Sequence, residues 1–414
     1  MQHASLRIAL LSYRSKPHCG GQGVYVRHLS RELVALGHEV EVISGPPYPE
    51  LDPGVGLTRL PGLDLYREPD PFRVPRLREF RSPLDVLEFL AMCTAAFPEP
   101  LTFSLRAWRE LRGRYERPDL VHDNQTLGYG LLLLQRAGFP VLATVHHPIT
   151  VDRAVDLAAA HGLRRQVSVR RWYSFLRMQA RVVRRLPSLL TVSQSSSGDI
   201  VRDFAVEPSR LTVVPVGVEH EVFVPPTVPR VRGRIVATAS ADVALKGVVP
   251  LLEAVAKLRT ERDVELLVVG SVKKGGAVAR TVVRLGLEDA VRFVHGLTEQ
   301  QLVEVFGSAH VGVVPSLYEG FSLPAVEMMS CATPLVVTSA GALPEVVGDA
   351  ALSVAPRDAE ALAVALGRVL DDDELAARLG AQGRARVVEL FTWRAVAERT
   401  VAWYHAHLSQ EPPC

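Results

Sequence analysis

Residues 7–44 read RIALLSYRSKPHCGGQGVYVRHLSRELVALGHEVEVIS, and they decide the fold class. The opening RIALLSY is an apolar run of strand length. GVYVRHLSRELVALG follows, with Val26, Leu29, Leu33 and Leu36 at helical spacing, and it stops at Gly37. HEVEVIS then alternates apolar and polar residues, the period of a strand. Strand, helix and strand in this order make a β-α-β unit, which builds parallel sheets covered by helices.

The same alternation continues down the chain. DLVH, PVLATVHH, SLLTVSQ and LTVVPVG are further strand candidates in the first half, while 45–85 reads as loops and short helices. Prolines crowd VFVPPTVPRVRGR (222–234), a composition suited to an interdomain linker. A second series then begins, with RIVATAS, VELLVVG, VRFVHG, HVGVVPS, PLVVTS and ALSVAP as strands and VPLLEAVAKLR and EALAVALGRVL among the helices. Short apolar strands between helices predict parallel sheets buried on both faces. The expected fold is α/β, two doubly wound Rossmann-like domains in tandem. In such sheets ligands sit beyond the carboxyl ends of the strands, here expected to open on a cleft between the domains.

A length of 414 residues suits two domains of roughly 200 residues each. With 48% hydrophobic and 22% charged residues the chain is globular, and a net charge of +2 gives no argument for nucleic acid. Cys19, Cys93, Cys331 and Cys414 show no paired spacing, which fits a reducing cytoplasm better than a disulfide framework or a zinc site. The N-terminus carries no signal-peptide pattern, and no apolar run approaches the roughly 18–20 residues that span a bilayer. No His/Cys ligand cluster points to a metal.

The stretch SLYEGFSLPAVE (316–327) places Glu319 and Glu327 on either side of a Gly-Phe-Ser-Leu-Pro turn, directly after a strand. Ser322 reads as an N-cap with Pro324 in the first helical turn. Free backbone N–H groups and the helix dipole at such a start suit a phosphate. The two carboxylates suit hydroxyl donors of a sugar and of a ribose. The same residues also describe a capped helix with two solvated glutamates.

The pattern Glu-x7-Glu in EGFSLPAVE, preceded by VPS and followed by GALPEVVGDA, resembles the retaining glycosyltransferases of family GT4, which have the GT-B fold. GGQGVYVRHLSRELVALGHEVEVIS is similar to the family's opening Gly-Gly loop, helix and second strand. VVPVGVEHEVF resembles its interdomain segment, with Val216 and Glu219 in place of the usual Asn and Asp, and FTWRAVAERTVAWYHAHL resembles its closing helix. The resemblance implies an acceptor-side domain over 1–218, completed by the helix 394–414, and a nucleotide-sugar domain over 219–393. It implies transfer of a sugar from a nucleotide diphosphate donor, UDP first among the bases, to an acceptor hydroxyl of unassigned identity. Configuration would be retained by front-side transfer, the departing phosphate helping to take the acceptor proton, with no metal and no cofactor.

Residue by residue, the resemblance gives Glu327 the ribose hydroxyls and Glu319 a place beside the donor sugar. The backbone of Phe321, Ser322 and Leu323 would contact sugar and diphosphate, and Lys246 would neutralise the departing diphosphate. Gly20 and Gly21 would face that diphosphate, and His146 would lie near the reacting centre. A fixed cation at a leaving phosphate is sound chemistry; alone, Lys246 also reads as a solvated lysine at a helix start. Ala241 stands where the family usually has arginine, which weakens leaving-group stabilisation unless Arg234, Lys273 or Lys274 compensates.

HCGGQG (18–23) also reads as a tight β-α turn, and ATVHHP ends a strand on adjacent histidines, of which alternation points only one into the site. His122 and His147 are acceptor-side candidates. Residues 161–186 hold eight arginines and no acid, with Trp172, Tyr173 and Phe175 among them. They read first as a solvated basic helix face and second as an amphipathic helix on an anionic membrane, at the inner face of the cell membrane. Two other functions fit parts of the pattern: a GT-B epimerase or phosphorylase, and a nucleotide-sugar-binding protein with weakened catalysis.

Overall fold

A computed structural model describes residues 5–15, 21–67, 69–239 and 243–409. Gly20 and Ala241, both singled out above, lie outside the described residues. The chain divides into two compact units. The first runs to Val192, takes up Ser196–Val214 and closes with the segment from Val396; the second holds Ser193–Ser195 and Pro215–Ala395.

The first unit is built on a seven-stranded parallel sheet of β1 (Arg7–Ser12), β2 (Glu39–Ser44), β3 (Gly56–Arg59), β4 (Leu120–Asn124), β5 (Val141–Val145), β6 (Leu189–Thr191) and β7 (Leu211–Val213), in the order β3-β2-β1-β4-β5-β6-β7. The second carries a six-stranded parallel sheet of β8 (Val231–Thr238), β9 (Glu265–Val269), β10 (Val291–Val294), β11 (Ala309–Val314), β12 (Leu335–Thr338) and β13 (Ala351–Val354), in the order β10-β9-β8-β11-β12-β13. Every residue of β4, β5 and β11 is buried, as expected for strands with helices on both faces. In each sheet the chain winds outward, returns past its first strand and winds the other way. The reversal falls between β1 and β4 in one unit and between β8 and β11 in the other, and loops after these strands diverge to leave a ligand crevice.

Three expectations change. The segment 45–85 contains the edge strand β3, whose Gly-Leu-Thr-Arg sequence is too short and too polar to read as a strand. The proline-rich stretch 222–234 belongs to the second unit: Phe223 is buried against Phe306 at 6.2 Å between ring centroids, and Ser330 Oγ donates to Phe223 O at 2.6 Å. Residues 161–186 form two helices, Leu163–Trp172 and Phe175–Val183, rather than one. The second is a core helix, with Phe175, Leu176, Met178, Val182 and Val183 buried and its arginines turned outward.

Arg230 organises the second unit. Its half-buried guanidinium donates to the carbonyl oxygens of Gly307 (2.9 Å), Ala309 (3.2 Å), Cys331 (2.9 Å) and Ala332 (2.8 Å), tying the start of β8 to the turns before β11 and β12. In the first unit, Tyr404 on the closing helix Trp393–Leu408 is fully buried. Its hydroxyl lies 2.6 Å from His122 Nδ1, and Thr144 Oγ1 lies 2.7 Å from His122 Nε2. Among the described residues, no helix is long and apolar enough to cross a membrane.

Candidate functional site

In the second unit, residues from both sides of the sheet reversal meet at the carboxyl ends of the strands. Lys246 follows β8 and Glu319 follows β11; Lys246 Nζ donates to Glu319 Oε1 at 2.8 Å. Ser316 Oγ donates to the same oxygen at 2.7 Å. The Glu319 side chain is 12% exposed and that of Lys246 31%, so the pair is sheltered while the ammonium stays reachable. Two glycines permit the close fit. Gly247 has φ +64°, and a Cβ there would lie 1.9 Å from Pro315 O; Gly341 has φ +57°, and a Cβ would lie 2.2 Å from Glu319 O.

The helix Leu323–Ser330 starts beside this pair, with Ser322 in the N-cap position and Pro324 in the first turn. The cap hydrogen bond is not made. Ser322 has φ 93° and ψ 79°, left-handed rather than extended, which turns its hydroxyl away from the helix amides. Ser322 Oγ is buried without a hydrogen-bond partner among the described residues. An uncapped helix start with a strained residue and an orphaned hydroxyl is a ready anion cradle. Phe321 packs edge-on against Phe391 at 5.7 Å and fixes the turn.

Glu327 lies more than a turn further in. Burial, with Glu299 adding a smaller push, raises its carboxyl to about 7. The neutral acid is therefore favoured in the unliganded fold, and the stability it gives is fully present below pH 4.5 and lost as pH rises through about 7. The unfolding temperature of the unliganded protein is expected to fall across that window. The fall should be smaller in Glu327→Gln; equal falls in a thermal-shift pH series would refute this placement.

In the first unit, His146 follows β5 at the carboxyl end of the sheet. Its Nε2 donates to Asn124 Oδ1 at 2.7 Å, and its ring stands edge-on to Tyr25 at 4.7 Å. Burial lowers its pKa to about 3, with His147 and His122 adding to the effect, so the imidazole is neutral near pH 7 and carries its lone pair on Nδ1. Gln125 positions it: the side chain accepts from His146 N at 2.7 Å and donates to His147 O at 2.9 Å, with Gln125 itself at φ 58°. Gly21 opens the helix Gly21–Ala35, and Asn124 Nδ2 donates to Gln22 O at 3.5 Å, so the start of that helix lies next to the histidine.

His147 points elsewhere, with Nε2 3.7 Å from Asp152. His122, an acceptor-side candidate by sequence, is fully buried between Thr144, Trp403 and Tyr404, where it joins the closing helix to the sheet. Arg234 is committed to Glu265 at 2.7 Å and Ser308 at 3.1 Å, on the amino half of β8 and away from Lys246. Lys273 and Lys274 follow β9 on an exposed loop. Sequence reasoning missed Asn124, Gln125 and Ser316. The signal for the first two was the unbroken polar run HDNQT (122–126), which begins inside β4 and continues past its end.

Two parallel doubly wound units, with paired basic and acidic groups and an open helix start beyond the strand ends, give this chain the architecture of the GT-B fold. The model of Glycosyltransferase Family 4 matches residues 19–222, and that of Glycosyl transferases group 1 matches 226–386. The chain is 56% identical over 413 residues to an MMP alpha-(1->4)-mannosyltransferase of Mycolicibacterium hassiacum, covering 99% of this chain and 100% of that one. It is 29% identical over 439 residues to a D-inositol 3-phosphate glycosyltransferase of Streptomyces scabiei, covering 97% and 91%. Among solved structures it resembles sucrose-phosphate synthase of Thermosynechococcus elongatus, with TM-score 0.73, 26% identity and coverage of 96% and 98%. The chain belongs to glycosyltransferase family 4 and is a hexosyltransferase. These relatives do not favour an epimerase, a phosphorylase or a non-catalytic binding protein.

Proposed function

We propose that this protein is a retaining mannosyltransferase that moves mannose from a nucleoside diphosphate donor to the 4-hydroxyl of an acceptor. The carrying observation is the 56% identity, over nearly all of both chains, to the M. hassiacum α-(1→4)-mannosyltransferase. UDP is the base expected from the family resemblance, and neither metal nor cofactor takes part in the proposal.

The roles follow from the chemistry at each atom. Lys246 holds positive charge where the diphosphate departs. The amides at the start of helix Leu323–Ser330, with Ser322 Oγ, take phosphate oxygens, and Glu319 orients both Lys246 and the donor sugar. Glu327 accepts ribose hydroxyls, which favours its ionised form, so donor affinity should rise with pH and level off above about 7. His146 Nδ1 accepts from a sugar hydroxyl, and Gly21 offers close backbone approach to phosphate. Gly20 keeps the role the resemblance gives it, and Lys273 and Lys274 are the remaining cations that compensate for Ala241. The departing phosphate helps to take the acceptor proton, with the first unit serving the acceptor and the second the donor.

The test incubates the protein with UDP- and GDP-linked mannose and glucose and a panel of mannosides, with and without EDTA. Mannose transfer with a new α-(1→4) bond, unchanged by EDTA, is the expected result. Transfer of glucose alone, or donor binding without diphosphate release, would overturn the proposal.

One surface favours a second partner. On helix Leu163–Trp172, Leu163 is 75% and Val167 54% exposed, beside exposed Arg164, Arg165, Arg170 and Arg171. Contact with an anionic membrane through 161–186 is the proposal there. Sedimentation with phosphatidylglycerol vesicles should retain the protein and lose it in a Leu163→Ser, Val167→Ser variant; no retention would remove the idea.

A further inference from the structure

The turn that carries Gln125 is built against its own backbone preferences. Residues 125–128 join β4 to the helix Tyr129–Arg136, and two of them, Gln125 (φ 58°) and Leu127 (φ 54°), are left-handed. Residues with a Cβ rarely enter that region, and leucine has no polar group to ease the entry. Such a backbone persists where its surroundings over-determine it, and it clusters at working sites.

Three side chains hold the turn from different sides. Asp123 is fully buried in β4, and its Oδ2 accepts from Leu127 N at 2.9 Å. Ser104, on the helix Glu99–Arg112, accepts through Oγ from Gly130 N at 3.2 Å. Gln179 reaches in from the helix Phe175–Val183, where it is the polar one among the buried residues and is 2% exposed. Its Nε2 gives one hydrogen to Gln125 O at 3.4 Å and the other to Thr126 O at 3.3 Å. Both bonds are long and add little to stability, while burying an amide among apolar side chains costs desolvation that methionine or leucine avoids. Packing gives no reason for a glutamine there.

The reason lies at the other end of the turn. The Gln125 side chain brackets the two histidines after β5: Oε1 accepts from His146 N at 2.7 Å, and Nε2 donates to His147 O at 2.9 Å. Asn124, the residue before it, accepts from His146 Nε2 at 2.7 Å. Together they set where the imidazole stands and which of its nitrogens is bare. A turn free to relax to ordinary backbone angles would carry both contacts away. We infer that Asp123 and Gln179 are positioning residues for the transfer: they lock the turn through which Gln125 and Asn124 fix the His146 ring against the reacting sugar. This rests on the place proposed for His146 and deepens it, adding two residues that act without touching substrate.

The first test reads the ring itself and needs no transfer. In protein labelled at the histidine ring nitrogens, His146 is assigned by the signal lost in His146→Ala. At neutral pH it should show the Nε2–H tautomer alone, and Gln179→Met should mix in the Nδ1–H form. His122, held by Tyr404 and Thr144, is the internal control and should keep its signals. The second test follows mannose transfer with the donor that supports it. Gln179→Met keeps the length of the side chain and removes both hydrogens, so kcat should fall about 10–10²-fold while donor KM stays within about twofold. Asp123→Leu should act alike, and Asp123→Asn, which keeps an oxygen for Leu127 N, should stay within about threefold of native. In a Gln125→Met background, Gln179→Met should cost less than about twofold more, because the bracket it serves is already gone. An unchanged His146 signature in Gln179→Met overturns the inference whatever the fate of the transferase reading. Losses that multiply in the Gln125→Met, Gln179→Met double variant also overturn it, since they mark a separate structural tie. So does loss of the His122 signals together with those of His146, the mark of general loosening.

Discussion

Replacing Lys246 with alanine is expected to lower kcat by about 10²–10³-fold while the donor KM moves much less, because the ammonium acts on charge that develops as the diphosphate leaves. The effect should sit inside that range, with Lys273 and Lys274 as the other cations. Arg234 is tied to Glu265 and Ser308 away from the site, and residue 241 brings no side-chain charge. Lys246 also neutralises Glu319, which accepts from the Ser316 hydroxyl as well. Lys246→Ala therefore leaves a carboxylate that repels the diphosphate, and Lys246→Ala with Glu319→Gln should recover part of the loss. Steady-state release of nucleoside diphosphate measures all of these. A kcat within about threefold of the native value would take Lys246 out of the reaction.

Arg230→Met should produce the largest stability change. The guanidinium holds carbonyl oxygens on two turns, and burial lowers its pKa without freeing a proton near neutrality. Methionine fills much of the stem's volume but leaves several buried acceptors unmade, at about 1–3 kcal/mol each before relaxation. A loss of about 3–5 kcal/mol in the second unit is expected in urea unfolding. Arg230→Lys should rescue little, because three donors on a point charge cannot span the fork that reaches both turns. A loss below about 1 kcal/mol would show that water replaces the guanidinium.

Periodicity made the two sheets legible because strands such as β5, β11 and β12 are apolar runs bounded by turn residues, and buried parallel strands require such runs. β3 escaped because an edge strand needs only one neighbour and tolerates Gly-Leu-Thr-Arg. At the site, Glu319 was found by its place after a strand and Lys246 through the family resemblance, but their direct contact depends on which strands are neighbours, a long-range fact. Ser322 was read as a cap from residue type alone; its left-handed backbone is set by Phe321 locked on Phe391. His122 and His146 look alike in sequence, each ending an apolar strand. What separates them is Tyr404, 282 residues from His122 along the chain, which fills the space over one and not the other.

The dependence of His122 on Tyr404 also orders the events of synthesis. The sheet that holds His146 emerges from the ribosome early, yet the helix residues that seal it are made only after Pro215–Ala395. At about 5–20 residues per second, that interval lasts roughly 10–35 s. Through it the polar face of β4 has no aromatic cover, and a chaperone has a timed window in which to hold the nascent chain.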